Sequence, residues 1–276
     1  MAENADLSDR SFMCTFETVL GTMSIIFSWQ GVHVLHSAER AALLSTRISK
    51  LDHGNEPVEI SVKELADMAG PGESVLLSLR DCEAEYAARS RAGRCAVHTE
   101  KLQAVAARVA GAVSLIEDMG RGRKSRTACS FASELYALQL PLCPEKLVSA
   151  TSAAVLHALI RFSRCCPRQT LSYKELARLV NSKAQEYGCE VSPGLDMVTG
   201  NRAVHGLESE PATSVPVHHR AVAMALKNNP VLLLIPCHMV VPSGSSFNPG
   251  GFVLGTSAKE KLLRLWQADI CSSSLL

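Results

Sequence analysis

Apolar and polar positions alternate in different rhythms along the chain. Residues 12–36 are rich in β-branched and aromatic side chains, punctuated by Leu20-Gly21 and Gln30-Gly31. That pattern predicts two or three short strands, with Gln30-Gly31 as a hairpin turn. The rhythm then becomes helical. "VKELADMA" (62–69), "VLLSLRDCEAEYAARSRA" (75–92) and 98–119 have helical spacing, the last with Leu102, Val105, Ala106, Val109 and Val113 on one face. "GRGRKSR" (120–126) breaks it as a short basic linker or a phosphate-contacting or nuclear-localisation patch. From Leu147 onward a helix is predicted over 148–164, with His157 on its face. It ends at Cys165-Cys166-Pro167, because proline disfavours helical geometry in the residue before it. "TLSYKELARLV" (170–180) opens on Thr170 or Ser172 as N-cap, and Glu175 stands three residues after Ser172 as a capping-box partner. A stretch rich in Gly, Ser, Pro and Glu, about 181–217, carries no periodicity. A short helix follows in "HHRAVAMALKNNP" (218–230), and a last one in "SAKEKLLRLWQ" (257–267), whose Leu262, Leu263 and Trp266 form an apolar stripe.

Composition adds limits. With 276 residues and 47% hydrophobic side chains the chain supports one large domain or two ordinary ones. No apolar run nears the roughly 20 residues of a membrane helix. The polar, acidic start "MAENADLSDR" is unlike a targeting segment, so a soluble intracellular protein is expected. Ten cysteines without a C-x-x-C pair read as reduced thiols; adjacent Cys165 and Cys166 are poorly placed to clasp one zinc ion. Charge is uneven: residues 1–146 carry 16 Lys/Arg against 19 Asp/Glu, and residues 147–276 carry 12 against 8. The mildly basic second part is compatible with a polyanionic partner.

The chemistry concentrates in "LLLIPCHMVVPSG" (233–245), where Cys237 and His238 follow an apolar run. A thiol near pKa 8.5 is mostly protonated at neutral pH, and only its thiolate is a strong nucleophile. A histidine nearby can take that proton, although adjacent residues do not automatically bring their side chains together. The pair therefore reads either as a core cysteine beside a satisfied histidine or as an activated nucleophile. Two short helices before this loop suggest a DNA-reading helix pair, but such helices usually sit a few residues apart. Either the long stretch is an insertion that leaves them adjacent, or the motif is absent.

The wider stretch "NPVLLLIPCHMVV…GG…KEKLLRLW" resembles the O6-alkylguanine-DNA alkyltransferases, whose acceptor loop reads N-P-x-x-x-x-[IV]-P-C-H-R-[VI]. Asn229, Pro230, Ile235, Pro236, Cys237, His238 and Val240 match it. Arg220 stands 17 residues before Cys237, Tyr173 matches the first reader helix, and Gly250-Gly251 and Lys259 match the closing loop and helix. The likeness covers 147–276 apart from the long loop, and 12–36 faintly. "NRAVHG" (201–206) repeats the Arg-Ala-Val of the later helix but lacks Asn-Pro, so the finger is assigned to Arg220 rather than Arg202.

The resemblance implies an α+β protein: an N-terminal RNase H-like α/β domain (1–146, structural or regulatory) and a helical C-terminal domain (147–276). The second carries a helix-turn-helix and the cysteine acceptor loop, with an insertion at about 181–217. It implies a single-turnover repair protein that moves a methyl or alkyl group from guanine O6 in double-stranded DNA onto Cys237, after rotating the base out of the stack. His238 is then the proton relay through water, Tyr173 the proton donor to the leaving guanine, and Asn229 the support of the loop. Arg220 is the intercalating finger, with Ala221, Ala225 and Lys227 on the DNA-contacting helix; Val240, Val241, Ser243, Pro249 and Gly250 form the base pocket. No cofactor, metal, membrane or second subunit is expected; the compartment is nuclear in a eukaryote and cytoplasmic otherwise. A protein that binds lesions without transfer is the alternative, disfavoured because such proteins lack the acceptor cysteine. A cysteine hydrolase is disfavoured because no third orienting residue is visible.

Four departures stand out. Met239 replaces the family's arginine, and Trp266, followed by Gln267, stands where a glutamate orients the histidine. Asn248-Pro249 replaces an aromatic-containing turn in a loop about three residues longer, and the insertion splits the reader helices. Glu260 and Asp269 lie nearby without the right spacing. His33 matches a zinc position of some relatives, but Ser28 stands in place of a cysteine, so the metal is not carried over.

Overall fold

The computed structural model describes residues 10–51, 54–69, 93–119, 131–166, 169–182, 216–243 and 248–273. The helix expected at 75–92, the basic stretch 120–126, Arg202 and most of 181–217 lie outside these. The architecture is mixed α+β, in two compact units. One comprises Met1–Ser125 and Glu134–Leu147, the other Arg126–Ser133 and Val148–Leu276.

The first unit is built on a four-stranded sheet. β1 (Phe12–Thr18), β2 (Gly21–Ser28) and β3 (Gly31–Ser37) run antiparallel, and β4 (Val58–Ile60) joins β1 in parallel, giving the order β3-β2-β1-β4. Successive strand side chains point to opposite faces, and each face is covered. α1 (Ala38–Leu51) sets Ala41, Leu44 and Ile48 against Ile26 and Val34. On the other face α2 (Val62–Ala69) and α3 (Gly93–Asp118) pack together, and α3 reaches β1 and β2. This double cover explains why β2 and β3 are almost continuously buried rather than alternating. The expected apolar face of α3, Leu102, Val105, Ala106, Val109 and Val113, is buried.

Residues 140–143 follow α4 (Phe131–Ala137) and cover the outer edge of β3, with Val32 N–H donating to Pro141 O and Cys143 N–H to Val32 O, both at 2.8 Å. Gly31 allows that approach: its φ is 140°, and a Cβ there would sit 2.4 Å from Pro141 O. His33 Nε2 is 2.8 Å from Ser28 Oγ, and its Nδ1 3.4 Å from Cys143 O. Among the described residues no cluster of three or more His, Cys, Asp or Glu is placed to hold a metal ion. No described helix is long and apolar enough to cross a membrane.

The second unit is mostly helical. α5 (Ala150–Cys165) is capped by Ser149, whose side chain accepts from Ser152 N–H. α6 (Tyr173–Asn181) begins with the full capping box: Glu175 N–H donates to Ser172 Oγ at 3.2 Å and Ser172 N–H to Glu175 Oε2 at 2.7 Å. The N-cap is therefore Ser172, not Thr170. α7 (His219–Lys227) is capped by His218 and packs on both α5 and α6, although residues 182–218 intervene between α6 and α7. α8 (Thr256–Ser273) runs past the expected end at 267. Leu262 and Trp266 are buried on it, with the Phe131 ring edge-on to Trp266 at 5.2 Å.

Candidate active site

The segment between α7 and α8 places the reactive group. Lys227 ends α7, and residues 228–236 fold into a tight apolar turn in which Leu232 and Ile235 bridge and Leu233 adopts φ 66°. Burial of Val231, Leu232, Leu233, Leu234 and Ile235 holds that turn, left-handed leucine included. Asn229 satisfies its interior. Its Nδ2 donates to Ile235 O at 3.1 Å and to Cys237 Sγ at 3.2 Å, and its Oδ1 accepts from Val231 N–H at 3.0 Å. Cys237 then opens a single 3₁₀ turn, Cys237–Met239, and β6 (Val240–Val241) follows.

β6 pairs in parallel with β5 (Leu171–Ser172), Leu171 against Val240 and Ser172 against Val241. Tyr173 is the next residue after β5, so this register brings the start of α6 to the acceptor loop. Tyr173 and Cys237 both line one cavity of about 430 Å³, with Ala223, Leu226 and Lys227 of α7 and residues 251–253 completing the wall. The volume falls in the range of small-molecule sites. Gly250 keeps φ 75°, and a Cβ there would meet Pro242 at 2.8 Å and approach the Tyr173 hydroxyl to 3.7 Å.

The electrostatics are those of a dry site. Burial pushes the Cys237 thiol up to about 11, opposed by the Asn229 hydrogen bond, the charge of Lys259 and the amides of Cys237 and His238. Tyr173 is likewise raised, first by burial and then by Cys237. His238 is fully enclosed: its ring stands edge-on to Trp266 at 4.3 Å and to Phe252 at 6.4 Å, and neither ring nitrogen has a hydrogen-bond partner among the described residues. Burial, with Lys259 nearby, lowers its pKa to about 3, so it is uncharged at neutral pH. The indole of Trp266 thus occupies the space beside the histidine, and exposed Glu260 does not reach it.

The sequence-predicted residues divide. Cys237, Tyr173 and Lys227 meet at the cavity, Asn229 braces it from behind, and Arg220 stands exposed at the start of α7 with Ala221 partly covered beside it. Ala225 is a correction: it is 1% exposed, on the inner face of α7, so no DNA contact is open to it. The outward positions are Ala223 and Met224, the latter 57% exposed. From the closing loop Gly251, Phe252 and Val253 line this cavity; the expected pocket residues Val240, Val241, Ser243, Pro249 and Gly250 are not among its lining. Val240 is buried and its carbonyl already accepts from Lys259 Nζ at 2.7 Å.

Lys259 was the residue sequence reasoning missed. Its side chain is 1% exposed, and Nζ also donates to Gly251 O at 3.4 Å. Matching a helix pattern gave it no role. The available signal was a lysine on the inward side of a helix, three residues before Leu262.

Comparison with known proteins finds likeness in the C-terminal part of the chain. Residues 208–267 match the family model of the 6-O-methylguanine DNA methyltransferase DNA-binding domain. The methylated-DNA–protein-cysteine methyltransferase of Sulfolobus acidocaldarius is 46% identical over 61 residues, 22% of this chain and 37% of that protein. Its counterpart in Metallosphaera sedula is 48% identical over 54 residues, 20% of this chain and 33% of that protein. The chain thus spans about a third of the length of the curated relatives it matches. The structure of a Mycobacterium tuberculosis O6-methylguanine methyltransferase aligns over 94% of each chain, with 13% identity and a TM-score of 0.45. The matched residues 208–267 include α7, the Pro-Cys-His loop and most of α8.

Proposed function

We propose that this protein repairs DNA by taking a methyl or other alkyl group from guanine O6 onto Cys237 Sγ, once per molecule. The observation that carries this reading is a family-matched cysteine lining a 430 Å³ cavity together with a tyrosine hydroxyl. Sulfur attacks the saturated carbon in line: the S–C bond forms, the C–O6 bond breaks, and its electron pair leaves with the guanine. The Tyr173 phenol, its pKa raised and its proton retained, donates to the leaving base. The product is a thioether, a bond that water does not cleave at neutral pH.

DNA engagement falls to the second unit, acting as a monomer. α6 and α7 serve as a helix-turn-helix, and α7 lies in the groove. Arg220 fills the stack when the alkylated base is rotated out into the cavity. Ala221, Ala223, Met224 and Lys227 give the helix a small-residue, partly apolar face for close approach to the duplex. The N-terminal unit, with its covered sheet, is an RNase H-like scaffold.

The test is the intact mass of the full chain after incubation with duplex DNA carrying O6-methylguanine. A gain of one methylene unit, located on the Cys237 peptide and absent with unmodified DNA, is expected. Tight binding without any mass gain favours a lesion-binding role instead.

A further inference from the structure

The family's histidine relay depends on a polar partner, and here Trp266 packs against that histidine instead. What the site has is Lys259. Its ammonium is enclosed, and it joins the two backbone segments that flank the acceptor sulfur. One is Val240, three residues after Cys237; the other is Gly251, in the cavity wall that Cys237 shares. A buried cation of this kind needs compensation, and two carbonyls supply only part of it.

We propose that Lys259, rather than His238, is the positioning residue that supports the Cys237 thiolate. It fixes the acceptor loop to the closing loop and supplies the positive charge that the sulfur's ionisation requires. The reading builds on Cys237 as acceptor, but its test needs no DNA.

The groups facing Cys237 each have a part. Asn229 donates a hydrogen bond from behind. Tyr173 is a neutral phenol across the cavity, Lys227 lines the cavity from the end of α7, and His238 is neutral and enclosed by Trp266 and Phe252. Lys259 and Cys237 feel each other in both directions: the ammonium lowers the thiol's pKa, and the thiolate raises that of the amine. Burial holds Lys259 down to about 8, so its charge is present below pH 8 and disappears above it. Ionisation releases the thiol proton either to solvent or to the fraction of Lys259 already present as free amine. In the second case S–H plus NH₂ becomes S⁻ plus NH₃⁺, with no change in total charge. The thiolate then attacks as written above, and the lysine takes no part in bond making to carbon.

The experiment measures the rate at which iodoacetamide modifies Cys237 in the full chain, resolved by peptide mass spectrometry, from mildly acidic to alkaline pH. Wild type is compared with Lys259→Met, Lys259→Arg and His238→Phe, each checked for native near-ultraviolet dichroism. Lys259→Met is expected to slow the reaction roughly tenfold at neutral pH, the effect of an opposite charge that shifts a thiol by about one unit. That ratio should shrink toward one by about pH 10, because the wild-type lysine has then lost its own charge. Lys259→Arg retains the neutral-pH rate, and His238→Phe leaves the pH profile where it was.

A Lys259→Met deficit that is constant across pH marks a purely steric role and overturns the proposal. A profile displaced by His238→Phe overturns it too, and that arm is readable even if Lys259→Met does not fold. Failure of methyl transfer from DNA alongside the expected iodoacetamide profile removes the repair function while leaving the role of Lys259 intact.

Discussion

Two buried cysteines, one in each unit, have thiol pKa values raised to about the same level, near 11. Around Cys14, on β1, every named influence acts in one direction. Burial raises its pKa, and the carboxylates of Glu117 and Glu64 raise it further. Around Cys237 burial is the sole influence raising the value, and an amide side chain, an ammonium and two backbone N–H groups oppose it. Equal pKa values thus conceal opposite sites. Cys14 is a small hydrophobe in a sheet, whereas Cys237 has groups ready to receive negative charge and a cavity from which a substrate can approach. Reactivity is read from the sign of the surroundings, not from the pKa alone.

The sharpest way to break the contrast is to delete each sulfur. Cys237→Ala is expected to abolish the mass gain from methylated DNA completely, while Cys14→Ala leaves it, as intact-mass spectra will tell. Next in size is the brace. Asn229→Ala leaves Val231 N–H unpaired in the interior, which costs roughly 1–3 kcal/mol in urea unfolding. It also slows modification of Cys237 but not of Cys14.

Acid separates the units on a smaller scale. His238, with its folded value near 3, stays neutral while the unfolded chain takes up a proton below about 6.5. The stability that comes from burying it neutral is therefore present above pH 6.5 and is lost as pH falls toward 3. At pH 4.5 the loss is about 2–3 kcal/mol, and it should vanish in His238→Phe when urea midpoints are compared with pH 7. His36, lowered to about 4 by burial and Arg40, brings a similar but narrower loss to the first unit. The least effect is expected from Glu64→Gln with Glu117→Gln, which removes the charges holding Cys14 up. Iodoacetamide labelling of Cys14 should quicken by less than about threefold, since both carboxylates are partly screened by water.

Much of this was legible in sequence where local chemistry decides structure. The β-branched run punctuated at Gly21 and Gly31 became three strands, and the Ser172–Glu175 spacing became a capping box. Other elements were passed over. α1 carries Ala41, Leu44 and Ile48 at helical spacing, but polar and β-branched residues dilute the signal. β4 is only three residues long and is defined by its parallel partner β1. In the site, the ordered letters around Cys237 located the acceptor, but they could not say which way a helix faces. Ala225 turned inward because α7 packs on α5 and α6 through Val222, Ala225 and Leu226. Nor could the letters say which residues of the closing loop line the cavity: Gly251, Phe252 and Val253 do, while Gly250 turns against Pro242. Lys259 became visible only when its nitrogen was found between two carbonyls.

Besides the packing of α7 on α6, one side chain joins the end of α6 to the segment that leads into α7. Asn181, the last residue of α6, donates from Nδ2 to Val217 O at 3.0 Å and accepts Val217 N–H on Oδ1 at 2.7 Å. An amide side chain thereby imitates a strand partner and clasps the chain where it returns, 36 residues later. The clasp fixes both where α6 ends and where the chain enters α7, with a single amide side chain serving as donor and acceptor.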